Sequence, residues 1–198
     1  GPAPASLSFL DAPDCISMDD APLAALRRKP RASIKVAAEA VARGDADALY
    51  SAGHTGATLL AAHAAFGVLP GAERPALAVL VPTRTGSAVL LDTGATLECR
   101  AEHLLAFGVM GAAYARGVLG VDAPRVGLLS VGEEAGKGTE LVREAHGLLS
   151  ASGLTFVGNL EARDFFSGRA DVIVADGFTG NIVLKVGEGL VELIEHLL

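Results

Sequence analysis

Short apolar, often β-branched segments alternate with longer segments of helical periodicity along the chain. Segments of the first kind predict strands, and apolar residues that recur every three or four positions predict helices. The pattern predicts strands at residues 46–50, 76–81, 87–92, 125–130, 154–157 and 171–175. It predicts helices at residues 19–28, 31–43, 55–66, 101–118, 138–151 and 179–198. Such alternation is typical of βα units around a largely parallel sheet.

One interval breaks the regular alternation. Residues 82–86 separate two predicted strands closely enough for a hairpin. The sequence therefore predicts an α/β fold whose sheet is mixed but mostly parallel, with a hairpin near residues 76–92. A chain of 198 residues suits a single α/β core, which we place at residues 15–198. Residues 1–14 are interpreted as a tag remnant or a disordered lead-in.

Composition narrows the class of protein. The chain is 51% hydrophobic without an apolar run long enough to span a membrane, so we expect a cytoplasmic protein. Its net charge of −7 argues against general nucleic-acid binding, which requires clustered cations. Cys15 and Cys99 lack metal-ligand or redox spacing, and no His or carboxylate cluster has metal spacing. We therefore predict no metal and no cofactor.

Polar or glycine-rich turns follow four of the predicted strands, at residues 51–56, 92–95, 132–138 and 176–181. Ligands of α/β proteins bind at the carboxyl edge of a parallel sheet, so these turns would converge if their strands are neighbours. Two of the turns open helices, where unpaired backbone N–H groups favour an anion. Phosphate or a phosphoester is thus the first ligand to expect. The predicted phosphate-binding residues are Ser51, Gly53, His54, Thr55, Gly56, Gly177, Thr179 and Gly180.

Lys137 lies between two glycines at a predicted helix start, where its ammonium could meet a phosphate or a developing oxyanion. The alternative is an exposed lysine paired with Glu133 or Glu134. The surrounding sequence is not a nucleotide-binding P-loop, because Val131 and Gly138 occupy positions where that motif needs glycine and Ser or Thr.

Asn181 can offer an uncharged amide donor near the start of the last helix, or it can simply cap that helix. Asp92 is interpreted as holding its own turn through backbone contacts. His54 could carry a proton or act as a neutral donor. No Ser-His-Asp set, nucleophile elbow or reactive cysteine context is recognisable, so covalent catalysis is not supported.

Taken together, the motifs resemble the PlsX family of acyl-carrier-protein:phosphate acyltransferases. They are SAGxTGA at residues 51–57, LLDxGA at 90–95, EHL with FGVMG at 102–111, PRVGLLSVGEE at 124–134, Lys137-Gly138 and DGFxGNxxLK at 176–185. The resemblance covers residues 15–190 in consistent order, and Met18-Asp19-Asp20 with Arg27-Arg28-Lys29 fits the same pattern.

This resemblance implies transfer of a long fatty acyl group from acyl carrier protein to inorganic phosphate, which gives the acyl phosphate used in phospholipid synthesis. It also implies a three-layer Rossmann-like fold similar to isocitrate and isopropylmalate dehydrogenases, a homodimer, and peripheral association with the inner face of the membrane. Under this hypothesis Lys137 and Asn181 are catalytic, and Asp92, Glu133 and Asp176 support them. The chain differs from the family where His54 replaces a typical Asn, and both ends look shorter than in full-length members.

Other interpretations stay open at this point. The chain could be a phosphotransacetylase-like enzyme that uses coenzyme A, or a fragment that binds phosphate or a partner without catalysis. The basic cluster Arg27, Arg28, Lys29 and Arg31 is either a docking surface for acidic carrier protein or an ordinary solvated face. Apolar positions in the last helix predict a core face, a dimer interface or membrane contact. These positions are Leu190, Val191, Leu193, Ile194, Leu197 and Leu198.

Overall fold

The computed structural model describes residues 8–198, so part of the predicted lead-in at residues 1–14 lies outside the described residues. The strands are β1 (Val79–Thr83), β2 (Gly86–Leu91), β3 (Arg125–Leu129), β4 (Thr155–Leu160) and β5 (Val172–Val174). The helices are α1 (Pro22–Arg28), α2 (Ser33–Ala42), α3 (Thr55–Phe66), α4 (Ala101–Leu119), α5 (Glu140–Ser150) and α6 (Gly177–Leu197). A short 3₁₀ turn covers Ala162–Asp164.

The chain divides into two compact units, one ending at Leu69 and the other spanning Pro70–Leu198. In the first unit, α1 and α2 both pack on α3. Small buried residues allow these close helix contacts, among them Ala25, Ala38, Ala57 and Ala61. The second unit contains the sheet and α4–α6.

The second unit has one five-stranded sheet with the order β1-β2-β5-β3-β4. β1 and β2 form an antiparallel hairpin, whereas the β2–β5, β5–β3 and β3–β4 pairs are all parallel. The mixed, mostly parallel sheet and the hairpin predicted from the sequence are therefore confirmed. Because four neighbouring strands run in one direction, their carboxyl ends lie at the same edge of the sheet.

Alternating side chains of the strands fill two separate cores. Val89 and Leu91 of β2 pack with Phe107 of α4 on one face, together with residues of α5. Leu90 of β2 packs on the opposite face, in a cluster that also contains Val183 of α6. Strand side chains point alternately to the two faces, so a sheet covered on both sides reads as continuous apolar runs. This arrangement gives the three layers that the Rossmann-like prediction requires.

Two predicted strands need correction. The strand predicted at residues 46–50 is wrong: this segment forms no strand, and Tyr50 is 92% exposed. β4 runs three residues beyond its predicted end at residue 157. Its pairing with β3 shifts register between Val126 and Leu128, and Gly158 adopts a φ of 89°. A bulge at this glycine lets the strand continue through a Gly-Asn pair that otherwise signals a turn.

The apolar positions near the end of α6 do not form a core face in the described chain. All six are exposed, from 47% at Ile194 to complete exposure at Leu198. The core interpretation is therefore wrong for these residues, and a dimer or membrane contact stays a prediction. Within residues 8–198, no helix has both the length and the hydropathy that crossing a membrane requires.

A salt bridge connects the starts of β3 and β5. Arg125 donates from Nη2 to Asp171 Oδ1 at 2.9 Å and from Nε to Oδ2 at 3.0 Å, and its backbone N–H also donates to Oδ2. These hydrogen bonds from Arg125 hold the pKa of Asp171 below its ordinary value of 3.8. A carboxylate whose pKa is depressed in the folded state stabilises the fold at pH values above the ordinary pKa. This stabilisation is lost as the pH falls through the folded-state pKa.

We expect Asp171→Asn to lower the free energy of unfolding by about 1 kcal/mol near neutral pH. The gap between wild type and variant should shrink as the pH falls below 3.8, because the wild-type carboxylate then becomes protonated. Urea unfolding of both proteins across that pH range measures the effect. A gap that stays constant down to the acid limit would show that the ion pair is not its source.

Candidate functional site

Polar residues follow each of the four parallel strands at their shared carboxyl edge. Asp92 comes directly after β2, Ser130 after β3 and Glu161 after β4, while Asp176 lies two residues after β5. The sequence analysis predicted three of these four turns. It missed Glu161, because the prediction ended β4 too early.

The Asp92 carboxylate organises the turn after β2. Asp92 is fully buried and accepts four backbone hydrogen bonds. Its Oδ2 accepts from Thr96 N at 2.7 Å, and its Oδ1 accepts from Leu77 N at 2.8 Å and from the amides of Gly94 and Ala95. These contacts match the structural interpretation of Asp92, and they explain how a buried charge is tolerated here.

The start of α6 is tightly fixed by its own side chains and by the Asp92 turn. Asp176 caps the helix, since its Oδ1 accepts from Thr179 N at 2.9 Å and its Oδ2 accepts from the Thr179 hydroxyl at 2.7 Å. Gly177 N donates to Thr96 O, and Gly180 N donates to Asp176 O. The backbone N–H groups of Gly177, Thr179 and Gly180 therefore already have protein acceptors. Among residues 8–198, no acceptor is found for the amide of Phe178.

A close backbone approach joins the two turns. A Cβ atom added at Gly180 would lie 1.9 Å from the carbonyl oxygen of Asp92, so this position accepts only glycine without movement of the helix. Asn181 adds a second connection, because its Nδ2 donates to Thr93 O at 3.1 Å across 88 residues of sequence. The structure thus brings Asp92 and Asn181 together, and it gives Asn181 a tethering contact that sequence reasoning missed.

Lys137 lies in the loop between β3 and α5, and two contacts anchor the part of the loop that precedes it. Glu133 pairs with Arg169 at 2.5 Å, and the buried Asn159 donates from Nδ2 to Glu134 O at 3.0 Å. In the described part of the chain, no carboxylate lies within ion-pair distance of Lys137. The ion pair with Glu133 or Glu134 predicted as the alternative for Lys137 is therefore absent from this structure. The lysine is exposed, and its ammonium is available to a ligand.

A cavity of about 540 Å³ opens between these turns. It is bounded by the ends of β3 and β4, the start of α5 and the first turns of α6. Its polar residues are Ser130, Thr139, Glu161, Arg163, Asp176 and Thr179, and the others are mostly apolar. Gly138, the neighbour of Lys137, also borders it. This volume lies within the range of about 300 to 1,000 Å³ that is usual for small-molecule sites.

Three residues near the carboxyl ends of β3 and β4 escaped the sequence analysis. Asn159 is 1% exposed in the structure. The sequence did not predict a buried role for it, because a Gly-Asn pair is typical of a turn. Ser130 and Glu161 each follow a strand, which is the one sequence signal that could have selected them. Their importance depends on which strands are neighbours, and that order is not encoded locally.

The predicted turn at residues 51–56 belongs to the first unit. It precedes α3 without following a strand, and His54 is the N-cap: its Nδ1 accepts from Gly56 N at 3.1 Å. Ser51 Oγ accepts from Gly53 N at 3.2 Å. Thr55 is the first residue of α3. Phosphate binding by this segment stays a prediction.

The capping contact makes a direct prediction for His54. We expect His54→Ala to lower the free energy of unfolding by about 0.5 to 2 kcal/mol, because it leaves a helix-start amide without its acceptor. His54→Asn is the matched control, since asparagine is among the best N-cap residues and should retain most of the stability. Chemical denaturation followed by circular dichroism measures both. Equal losses in the two variants would show that capping is not what His54 contributes.

Two members of the basic cluster have local acidic partners. Lys29 pairs with Asp20 at 2.6 Å, and Arg31 pairs with Asp11 at 2.6 Å. The hydrogen bond from Lys29 lowers the pKa of Asp20 to about 2. Within residues 8–198, neither Arg27 nor Arg28 forms an ion pair. If the cluster docks an acidic partner, these two arginines are its available charges.

Neither metal chemistry nor a thiolate has support from the described residues. Within residues 8–198, no group of three or more His, Cys, Asp and Glu side chains is placed to hold a metal ion. Cys99 donates its thiol hydrogen to Thr96 O at 3.3 Å, and burial raises the pKa of this thiol. Cys99 therefore remains protonated at neutral pH, unlike an activated nucleophile.

Comparison with known proteins identifies the family. Residues 2–198 match the sequence model of the family described as "Fatty acid synthesis protein". The chain belongs to this family. The PlsX resemblance drawn from the motifs is thereby confirmed.

Members of the family with similar sequences carry the name phosphate acyltransferase. The protein from Desulforudis audaxviator is 52% identical over 189 residues, which cover 96% of this chain and 56% of the relative. The protein from Thermodesulfovibrio yellowstonii is 49% identical, with 97% and 55% covered. The chain thus spans about half the length of the curated relatives it matches.

A solved structure with low sequence identity has a similar fold. The EutD phosphotransacetylase from Staphylococcus aureus superposes with a TM-score of 0.61 over 79% of this chain and 55% of that protein. Its sequence identity is 20%, so the likeness concerns the fold alone. It agrees with the Rossmann-like architecture of the second unit.

Proposed function

We propose that this protein of the fatty acid synthesis family is a phosphate acyltransferase, which transfers a long-chain acyl group from acyl carrier protein to inorganic phosphate. The products are an acyl phosphate and the free carrier thiol. The observation that carries the proposal is the meeting of polar turns from four parallel strands at one sheet edge, beside a lysine that makes no ion pair with residues 8–198. The names of the relatives support the reaction class.

The reaction needs no covalent intermediate on the protein. One phosphate oxygen attacks the thioester carbonyl carbon, and a tetrahedral oxyanion forms. The oxyanion collapses, the C–S bond breaks, and the thiolate leaves with the carrier and takes a proton from solvent. Holding phosphate and thioester in attack geometry supplies much of the acceleration, and fixed donors near the oxyanion supply more.

The charges and hydrogen bonds at this edge support the following roles. Lys137 is an exposed cation near this edge without an ion-pair partner among residues 8–198, so it neutralises the phosphate and the developing negative charge. Asn181 is held by Thr93 through one N–H, which leaves the second N–H of its amide for a substrate oxygen. The unpaired amide of Phe178 at the start of α6 provides a further donor for an anion. Asp92 and Asp176 act indirectly, because they fix the two turns.

Two further parts of the proposal concern partners. Arg27 and Arg28 provide an available positive surface for an acidic carrier protein. The exposed apolar positions of α6 are proposed to pack against a second copy in a cytoplasmic homodimer, with peripheral membrane contact as the alternative. Reversing both arginine charges should weaken carrier binding in a salt-sensitive way. Size-exclusion chromatography with light scattering and vesicle sedimentation separate the two α6 alternatives.

The decisive assay compares donors. Purified protein is incubated with phosphate and either a carrier-bound or a coenzyme-A-bound acyl thioester, and acyl phosphate is trapped with hydroxylamine. We expect carrier-bound donor to give the higher kcat/KM. Preference for coenzyme A would indicate a phosphotransacetylase-like enzyme, and binding of phosphate without product would indicate a non-catalytic protein.

A further inference from the structure

One hydroxyl at the sheet edge is buried without any hydrogen-bond partner. Within residues 8–198, Ser130 Oγ is the single buried side-chain nitrogen or oxygen atom for which no partner is found. Ser130 follows the last residue of β3 and lines the cavity of about 540 Å³. Buried polar groups are nearly always hydrogen-bonded, so an orphan hydroxyl at the wall of a cavity needs an explanation.

The other polar side chains of this cavity already have partners. Glu161 and Arg163 pair with each other at 2.8 Å. The Asp176 carboxylate accepts both hydrogen bonds of Thr179, and the Thr139 hydroxyl caps α5 by accepting from Val142 N. Ser130 therefore differs from the other polar side chains of the cavity, because its buried hydroxyl has neither a donor nor an acceptor partner among residues 8–198.

The character of the cavity selects an uncharged ligand. Apolar side chains form much of its wall, namely Leu129, Val131, Val142, Ala162 and Val183. The carboxylates of Glu161 and Asp176 border it, and the cation that lines it with them, Arg163, is paired through its Nε with Glu161. A phosphate group would be repelled by this wall, whereas a neutral chain that carries carbonyl groups could hydrogen-bond to a lone hydroxyl.

We infer that this cavity receives the uncharged, carbonyl-bearing arm of the thioester donor, and that the Ser130 hydroxyl donates a hydrogen bond to one of its carbonyl oxygens. The inference rests on the proposed function, which requires a thioester beside the phosphate. Gly138, which borders the cavity, is the direct neighbour of Lys137, so an arm bound here would end close to the proposed phosphate-binding group. Ser130 is a positioning group and not a nucleophile, because no base in the described part of the chain forms a hydrogen bond with its Oγ.

A ligand-binding role and a structural role for Ser130 predict different effects of its removal on the melting temperature. Removal of a buried hydroxyl that has no partner sacrifices no hydrogen bond of the free protein. Ser130→Ala should therefore melt at the same temperature as wild type or at a higher one, while it binds the donor arm less tightly. A structural role would instead lower the melting temperature.

The test uses S-hexanoyl pantetheine, pantetheine and inorganic phosphate as probes, with binding measured by isothermal titration calorimetry. We expect Ser130→Ala to weaken binding of the thioester probe about three- to tenfold, which corresponds to one lost hydrogen bond, and to leave phosphate binding unchanged. The matched control is Ser87→Ala, an exposed serine near the opposite end of β2, which should change neither affinity. Ser130→Cys, a near-isosteric variant with a weaker donor, should give an intermediate loss and decides the matter if the alanine variant does not fold.

The probes also locate the hydrogen bond. A loss with both pantetheine compounds points to an amide carbonyl, and a loss with the thioester alone points to the thioester carbonyl; either result supports the inference. Unchanged affinity in Ser130→Ala, an equal loss for phosphate, or no binding of the thioester probe to wild type would overturn it. Acyl phosphate production by the same wild-type preparation tests the proposed function separately, since the probe could bind through Ser130 even if no phosphate is acylated.

Discussion

Lys137→Ala should lower the turnover number for acyl phosphate formation about a hundredfold or more, because removal of one fixed electrostatic donor typically costs about 3 to 4 kcal/mol of transition-state stabilisation. The lysine makes no ion pair with the described residues, so its loss breaks no contact that the fold requires. The melting temperature should remain that of wild type. Steady-state kinetics with carrier-bound thioester and variable phosphate measure the effect on kcat and on KM for phosphate.

The control for Lys137 is another lysine of the same unit. Lys185 on α6 is exposed and pairs with Glu188 at 2.6 Å, so Lys185→Ala makes the same change in net charge away from the proposed chemistry. It should retain near-normal turnover. Lys137→Arg should recover part of the activity, because it keeps the charge but changes the shape of the donor. Near-normal turnover in Lys137→Ala would remove this residue from the mechanism.

Asp92→Ala should be the most destabilising substitution at the sheet edge. It would leave four backbone N–H groups without their carboxylate acceptor, at Leu77, Gly94, Ala95 and Thr96. Each buried donor left unpaired costs about 1 to 3 kcal/mol, so we expect a loss of about 3 kcal/mol or more even if water reaches some of these groups. Urea unfolding followed by two spectroscopic probes measures the loss.

Asp122→Ala is the matched control for Asp92. Asp122 is exposed, and its removal should change the free energy of unfolding by no more than about 0.5 kcal/mol. The free energy of unfolding of Asp92→Asn should lie between those of Asp92→Ala and Asp122→Ala. The amide keeps one acceptor oxygen, but its NH₂ group places a donor where the surrounding N–H groups need an acceptor. Stability of Asp92→Ala close to that of Asp122→Ala would contradict the role assigned to this carboxylate.

The sequence predicted those elements whose signals are local. α3 begins and ends where predicted, since its segment is rich in alanine and Gly67 follows it directly. The β1–β2 hairpin followed from two apolar strands separated by a short polar turn. Residues 46–50 misled the prediction, because alternation of apolar and polar residues predicts a strand but cannot supply a neighbouring strand to pair with it. Formation of a strand depends on its partner as much as on its own residues.

In the candidate site, too, features with a local sequence signal could be predicted and features that depend on long-range packing could not. Lys137, Asp92 and Asn181 could be selected from the sequence because each lies in a glycine-bearing turn after a strand or at a helix start. The tether from Asn181 to Thr93 and the orphan hydroxyl of Ser130 could not, because both depend on the order of strands in the sheet. The number of hydrogen bonds on Asp92 likewise follows from a turn closed by Leu77, fifteen residues earlier. Long-range packing decides these contacts.

A crystal structure of the protein with bound phosphate or a non-hydrolysable acyl phosphate analogue tests the central claim most directly. We predict a phosphate oxygen within about 4 Å of Lys137 Nζ, at the carboxyl edge of β2, β5 and β3, with the Asn181 amide directed toward the same group. Phosphate bound elsewhere, or Lys137 and Asn181 facing different sides of the sheet edge in the bound state, would contradict the account.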